Sequence, residues 1–268
     1  MEQKHPTEYD DLNTLLSELV DQVEAILQGN FCGAYLHGSF ALGDADEHSD
    51  VDFLIVTHGE VGHEEPQLRF LHAQMPEQNL EWAHHLEGSY VSKAELHELD
   101  PKHGPWLYVD NGSREMELSP HDNTAVTRWT LRERGVVLAG PHPKELIAPI
   151  TAKALRREVL SGVESFPPDP KWWAESLDNA WAQPHVISSF CRRLYSLEFG
   201  TVVSKRAAMT WALSSLDPVW SALVQGALDD RPDPWERAKQ PARAGTVELT
   251  RDFVDYCVSL ARKYESMV

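Results

Sequence analysis

The stretch Leu36-His-Gly-Ser-Phe-Ala-Leu-Gly-Asp-Ala-Asp-Glu-His-Ser-Asp-Val-Asp-Phe-Leu-Ile-Val56 constrains this chain more than any other. A short apolar run (34–36) leads into Gly38-Ser39. Eleven residues after the serine come Asp50-Val51-Asp52, and the more apolar run 51–56 begins between the two aspartates. Alternate side chains of a β-strand share a face, so this spacing turns Asp50 and Asp52 the same way at a strand's start and sends Val51 into the core. Two carboxylates side by side repel unless a cation lies between them. Hard divalent ions such as Mg²⁺ take such oxygens together with phosphate oxygens of a substrate.

Gly-Ser, a spacer and Asp-x-Asp on a strand resemble the nucleotidyltransferase superfamily. The resemblance implies that Gly38 lets the backbone approach a triphosphate, that Ser39 bonds a phosphate oxygen with Ser49 nearby, and that Asp50 and Asp52 hold Mg²⁺, two ions in all, with ATP as co-substrate. Transfer to a hydroxyl also needs a proton acceptor. Glu87, in Leu86-Glu-Gly-Ser-Tyr90, fits if its strand pairs with that of the aspartates, where it would also touch a metal. Glu81, beside Trp82, is its rival. Glu87 is preferred because Gly88 leaves room for a substrate to approach the backbone.

The 268 residues suit one large domain or two small ones, and the 42% hydrophobic content supports a packed core. No apolar run reaches the roughly 18 residues of a membrane helix, and Met1-Glu-Gln-Lys-His-Pro lacks the apolar segment of a signal peptide. Cys32, Cys191 and Cys257 have no metal-site spacing and read as buried free thiols, which fits a cytoplasmic protein. The formal net charge of −18 argues against nucleic acid as a partner. It suits a cationic small substrate, or equally a merely soluble acidic surface.

The predicted fold class is α+β, with a small mixed sheet in the first half and an all-helical second half. Apolar positions from Leu12 to Leu27 at spacings of three and four predict a helix over 8–28. Strands follow over 34–37, 51–57 and 82–91, with a short helix through Leu42 and another over 66–75. Residues 100–123 read as turns with one short strand, and 124–138 as a helix running into Gly135. Pro143, Pro149 and a new helix from Thr151 divide the chain into domains 1–150 and 151–268. The second domain reads as helices over 151–162, 171–181, 184–199, 204–215, 217–228 and 246–265, with proline-rich breaks at 167–170 and 231–234. Trp129, Trp211 and Trp220 fall in apolar helical patterns and read as core.

Leu86-Glu-Gly-Ser-Tyr90, Asp110-Asn-Gly-Ser-Arg-Glu115, His121-Asp-Asn123, Arg128-Trp-Thr-Leu-Arg-Glu-Arg-Gly-Val-Val-Leu-Ala-Gly-Pro141, Phe190-Cys-Arg-Arg-Leu-Tyr-Ser196 and Ser204-Lys-Arg-Ala-Ala-Met-Thr-Trp-Ala212 together look like aminoglycoside adenylyltransferases of the streptomycin/spectinomycin type. The resemblance spans roughly residues 8–262. It implies Mg²⁺-dependent transfer of AMP from ATP to a hydroxyl of a cationic aminoglycoside or aminocyclitol, with release of pyrophosphate. It further implies an active site between a nucleotidyltransferase domain and a helical domain, Glu87 as base, Arg192 and Lys205 on the nucleotide's phosphates, a monomer, and antibiotic resistance as the role. The alternatives are transfer to another metabolite or a protein hydroxyl, or a non-catalytic nucleotide-binding or interaction protein.

Several positions depart from that pattern. His121 aligns with an aromatic residue of the substrate cleft. Ala182 and Gln183 stand where an acid precedes the arginine-bearing helix, with Asp178 or Glu175 as substitutes one turn upstream. A tyrosine expected near residues 226–228 is missing. His121-Asp122-Asn123 either lines the acceptor pocket or, as favoured here, supplies through Asp122-Asn123 a cap for the helix starting at Thr124.

Overall fold

A computed structural model describes residues 5–78, 80–100, 104–167, 170–230 and 237–268. The proline-rich break at 231–234, residues 168–169 of the other break, and residues 101–103 lie outside them. The chain forms two compact units, Met1–Ile150 and Thr151–Val268.

The first unit is built on a six-stranded mixed sheet. Its strands are β1 (Phe31–Leu36), β2 (Val51–Thr57), β3 (Leu86–Ser92), β4 (Trp106–Val109), β5 (Met116–Ser119) and β6 (Val136–Ala139), in the order β5-β4-β3-β2-β1-β6. Only β2 and β3 run parallel, and the crossover between them carries helix α3 (Glu65–Gln74). The alternation along β2 assigns the faces. Val51, Phe53 and Ile55 join one core with α1 (Asp10–Leu27) and α3. Leu54 and Val56 join another with Leu96 of α4 (Lys93–His97), Leu131 of α5 (Ala125–Arg134) and Leu146 of α6 (Pro143–Leu146). Asp52 therefore belongs to the α5 side of the sheet. Helix α1 buries Leu12, Leu15, Leu16, Leu19, Val23 and Leu27, the stripe its spacing predicts.

The second unit is helical: α7 (Ala152–Glu164), α8 (Pro170–Glu175), α9 (Ala182–Phe199), α10 (Lys205–Ser215), α11 (Ser221–Asp229) and α12 (Thr246–Ala261). Helix α9 is its centre, packed against α7, α10, α11 and α12. Its buried residues, from Ala182 and Gln183 through Leu197, go round the whole helix, as a surrounded helix requires. Among the described residues, no helix is long and apolar enough to cross a membrane.

The α+β class stands, and several element readings are corrected. The strand predicted over 82–91 starts only at Leu86, because Glu81–His84 forms a 3₁₀ turn that packs Trp82 against Tyr9 and Phe40. Residues 100–123 hold two strands, since β5 pairs with β4. The run after Gly135 is edge strand β6, paired with β1. Helix α8 stops at Glu175, short of the predicted 181. Trp129, Trp211 and Trp220 are only partly buried. Cys191 and Cys257 are buried free thiols, and Cys32 is partly exposed.

Candidate active site

Strand β1 ends at Leu36, and His37 donates its backbone N–H to the Asp52 carbonyl at 2.9 Å. Gly38 then takes φ +54° and opens a short helix, α2 (Gly38–Leu42), that carries Ser39, partly buried. A Cβ on Gly38 would lie 1.8 Å from Asp52 Oδ2. The turn thus passes directly over the aspartate, and both its dihedral and its clearance demand glycine. Ser49 closes the polar loop that follows. Its Oγ accepts from the Asp46 N–H at 2.9 Å and lies 3.2 Å from Asp46 Oδ1, so this hydroxyl shapes the approach to Asp50.

In the parallel pair, Asp52 lies opposite Glu87 and Leu54 opposite Ser89. Register alone puts the Asp52 and Glu87 side chains on one face at the same end of adjacent strands. Asp50 precedes β2, and its Oδ1 accepts a short hydrogen bond from Asn111 Nδ2. Asn111 stands in the β4–β5 turn. That turn is seated by Gly112, at φ +63°, where a Cβ would lie 2.4 Å from the His84 carbonyl oxygen and whose N–H donates to Leu86 O at 3.3 Å.

Glu87 is 13% exposed. The Tyr108 hydroxyl lies 2.7 Å from its Oε1 and 3.0 Å from Asp110 Oδ1, and His121 Nε2 lies 3.2 Å from the same Oε1. The His121 ring stacks on Tyr108, with centroids 5.1 Å apart. Burial pushes the Glu87 carboxyl up, but hydrogen bonds from His121 and Tyr108 and the charges of His121 and His37 outweigh it, leaving the group below its ordinary value. His121 moves up to about 9. Its hydrogen bond to Glu87 leads, burial opposes, and Asp122, Glu87 and Asp52 add their charge. Glu81 is exposed in the 3₁₀ turn, 3.7 Å from His85, and is not on the sheet.

Gly88 does not open a path to substrate. It faces away from Glu87, and a Cβ there would lie 2.2 Å from the Phe53 carbonyl and against the Phe53 ring. Asp122 and Asn123 do not cap α5. Thr124 does, accepting from the Thr127 N–H at 3.0 Å, while Asp122 is buried with its Oδ2 2.7 Å from Ser89 Oγ and Asn123 donates to Gly104 O. Sequence reading does not reach Tyr108, in the apolar run 106–109, or Asn111, in the polar segment after it, and it gives Asp122 a cap in place of its bond to Ser89.

Asp50, Asp52 and Glu87 supply oxygen alone, the donor set that suits Mg²⁺. Among the described residues no three His, Cys, Asp or Glu side chains close into a metal cage.

In the helical unit, Arg192 lies on α9 and Lys205 opens α10 after the Ser204 cap, both partly buried. His185, stacked on Trp181, is driven down to about 3, by burial first and then by the charges of Lys205, Arg192 and Arg193. The cations therefore share one neighbourhood. Arg193 lies over the rings of Phe190 and Phe166, a packing role that sets it apart from Arg192. Asp178 is exposed in the loop before α9. The next residue, Asn179, accepts from the Trp181 and Ala182 N–H groups. Ala182 and Gln183 point into the core of the unit, Gln183 donating to Leu177 O at 3.0 Å.

Residues 16–103 match the nucleotidyltransferase domain, and residues 145–259 match the C-terminal domain of aminoglycoside adenylyltransferases. The chain belongs to the nucleotidyltransferases of the aminoglycoside adenylyltransferase type. It is an enzyme of that class. This nucleotidyltransferase is 23% identical over 252 residues to spectinomycin 9-adenylyltransferase of Campylobacter jejuni, covering 85% of this chain and 90% of that one. It is 23% identical over 231 residues to aminoglycoside (3'') (9) adenylyltransferase of Escherichia coli, covering 80% and 82%. In fold it is similar to the crystal structure of spectinomycin adenyltransferase AAD(9) from Enterococcus faecialis with ATP and spectinomycin. The TM-score is 0.67 at 16% identity, over 92% of this chain and 98% of that one.

Proposed function

We propose that this enzyme transfers AMP from ATP to a hydroxyl of an aminoglycoside or aminocyclitol. The observation that carries the reading is the register of β2 and β3, which sets Asp52 against Glu87 beneath the Gly38-Ser39 turn. Asp50 and Asp52 would hold Mg²⁺, which when bound supplies positive charge against the triphosphate. Gly38 admits the phosphate chain to the backbone and Ser39 bonds a phosphate oxygen. The acceptor oxygen attacks the α-phosphorus and its proton passes to Glu87, a partly buried carboxylate kept ionised by Tyr108 and His121. As the new P–O bond forms, the bond from the α-phosphorus to the bridging oxygen breaks, and its electrons leave with pyrophosphate. Arg192 and Lys205 neutralise that leaving group. The relatives named for spectinomycin and aminoglycoside adenylylation support the acceptor class.

A second reading keeps the chemistry and changes the acceptor to another hydroxyl compound. The inward-facing Ala182 and Gln183 favour it, because no carboxylate stands there to receive a cationic drug. Mass spectrometry decides between the two. After incubation with ATP and Mg²⁺, streptomycin, spectinomycin or another aminoglycoside should gain the mass of one adenylyl group, AMP less water. A panel left wholly unmodified by an enzyme that binds ATP would move the acceptor outside this class.

A further inference from the structure

Behind the carboxylates lies a second polar cluster that the chemistry above leaves unused. His37 is 6% exposed and Asp122 4% exposed. Imidazole Nε2 of His37 makes no hydrogen bond, and it faces Asp122 Oδ1 at 3.9 Å. The other oxygen of Asp122 accepts from the buried Ser89 hydroxyl at 2.7 Å. Ser89 is two residues beyond Glu87 on β3, so it shares that residue's face one step deeper in the sheet. Withdrawing a carboxylate and an imidazole from water is unfavourable unless each finds a partner. Asp122 has the Ser89 hydroxyl, and the His37 imidazole has the Asp122 carboxylate at 3.9 Å.

Their places in the chain give the pair its meaning. His37 is bonded to Gly38, and its own N–H holds the Asp52 carbonyl. Asp122 is bonded to His121, which touches Glu87. We infer that His37 and Asp122 are positioning residues, a buried strut that holds the Gly38-Ser39 turn in register with His121 and Glu87. Polar pairs of this kind fix one arrangement of a core where apolar contacts would tolerate several. The inference rests on the proposed nucleotidyl transfer only for its functional consequence.

The test reads across the strut. In the ligand-free, folded protein, His37→Gln should move the NMR signal of the His121 ring, and Asp122→Asn should move the Ser39 amide, each at the far end from the substitution. Each variant should weaken ATP binding about tenfold, and the double variant should be no worse than the weaker single, as coupled residues behave. Far-end signals left in place, or losses that simply add, would overturn the strut. Should either variant fail to fold, Ser89→Ala removes only the hydroxyl that steadies Asp122. It should still move the Ser39 amide, and an unmoved amide would overturn the inference. If the wild-type protein bound no ATP, the proposed function would fall, while the two far-end signals would still decide the strut.

Discussion

Gly38 concentrates the constraint on the site into one atom that is not there. Its φ of +54° disfavours any L side chain, and the space a Cβ would need is held by the Asp52 carboxylate. Gly38→Ala should therefore cost about 1–2 kcal/mol in backbone strain and displace Asp52. Thermal unfolding should report a modest loss of stability, and nucleotide titration a disproportionate loss of ATP affinity. Unchanged affinity would mean that the turn does not approach the phosphates. Gly38, Asp50 and Asp52 were legible because their spacing is local and alternation fixes direction. Glu87 was legible only on the condition that two distant strands pair, and the reason given for preferring it, space at Gly88, was mistaken. The contacts of Tyr108, Asn111 and Asp122 were not legible, because each depends on which loop is brought over the sheet.

Elements with an internal periodicity could be read from sequence, and elements defined by a partner could not. Helix α1 carries its own apolar stripe. β5 and β6 are four-residue edge strands whose Leu118 and Val137 face solvent, so only pairing with β4 and β1 makes them strands. The packing of α3 on β3 yields a prediction at this scale. His72 of α3 is buried, its Nε2 2.8 Å from the Tyr90 hydroxyl and its ring stacked on Phe53. Burial pushes it from 6.5 down to about 4. Folded His72 thus stays neutral where the unfolded chain takes up a proton, so the unfolded state binds more protons between these values. Stability should fall as pH drops from 6.5 to 4, by up to about 3 kcal/mol from this residue, and should level off below. Chemical denaturation at a series of pH values checks this, and His72→Leu should flatten the slope. His185, driven down to about 3, acts in the same direction.

At the scale of the whole molecule, an acidic chain of net charge −18 brings Arg192, Arg193 and Lys205 of the helical unit into one neighbourhood. The carboxylates belong to the other unit, so under the proposed mechanism neither unit suffices alone. Arg192→Ala and Lys205→Ala should each lower kcat/KM for ATP by about 10- to 100-fold, the range for losing a charged contact to phosphate. The loss should be smaller at high salt, which screens the same charges in the wild-type enzyme. Steady-state kinetics at two ionic strengths checks both. The most direct measurement is pyrophosphate release from ATP and Mg²⁺ in the presence of an aminoglycoside panel, wild type against Glu87→Gln, with ATP binding followed in parallel. The expected result is acceptor-dependent release by the wild type, a fall of about 10²- to 10⁴-fold in the variant, and equal ATP binding by both. Near-normal release by Glu87→Gln would contradict the assignment of the base, and no ATP binding by the wild type would contradict the nucleotidyl-transfer site itself.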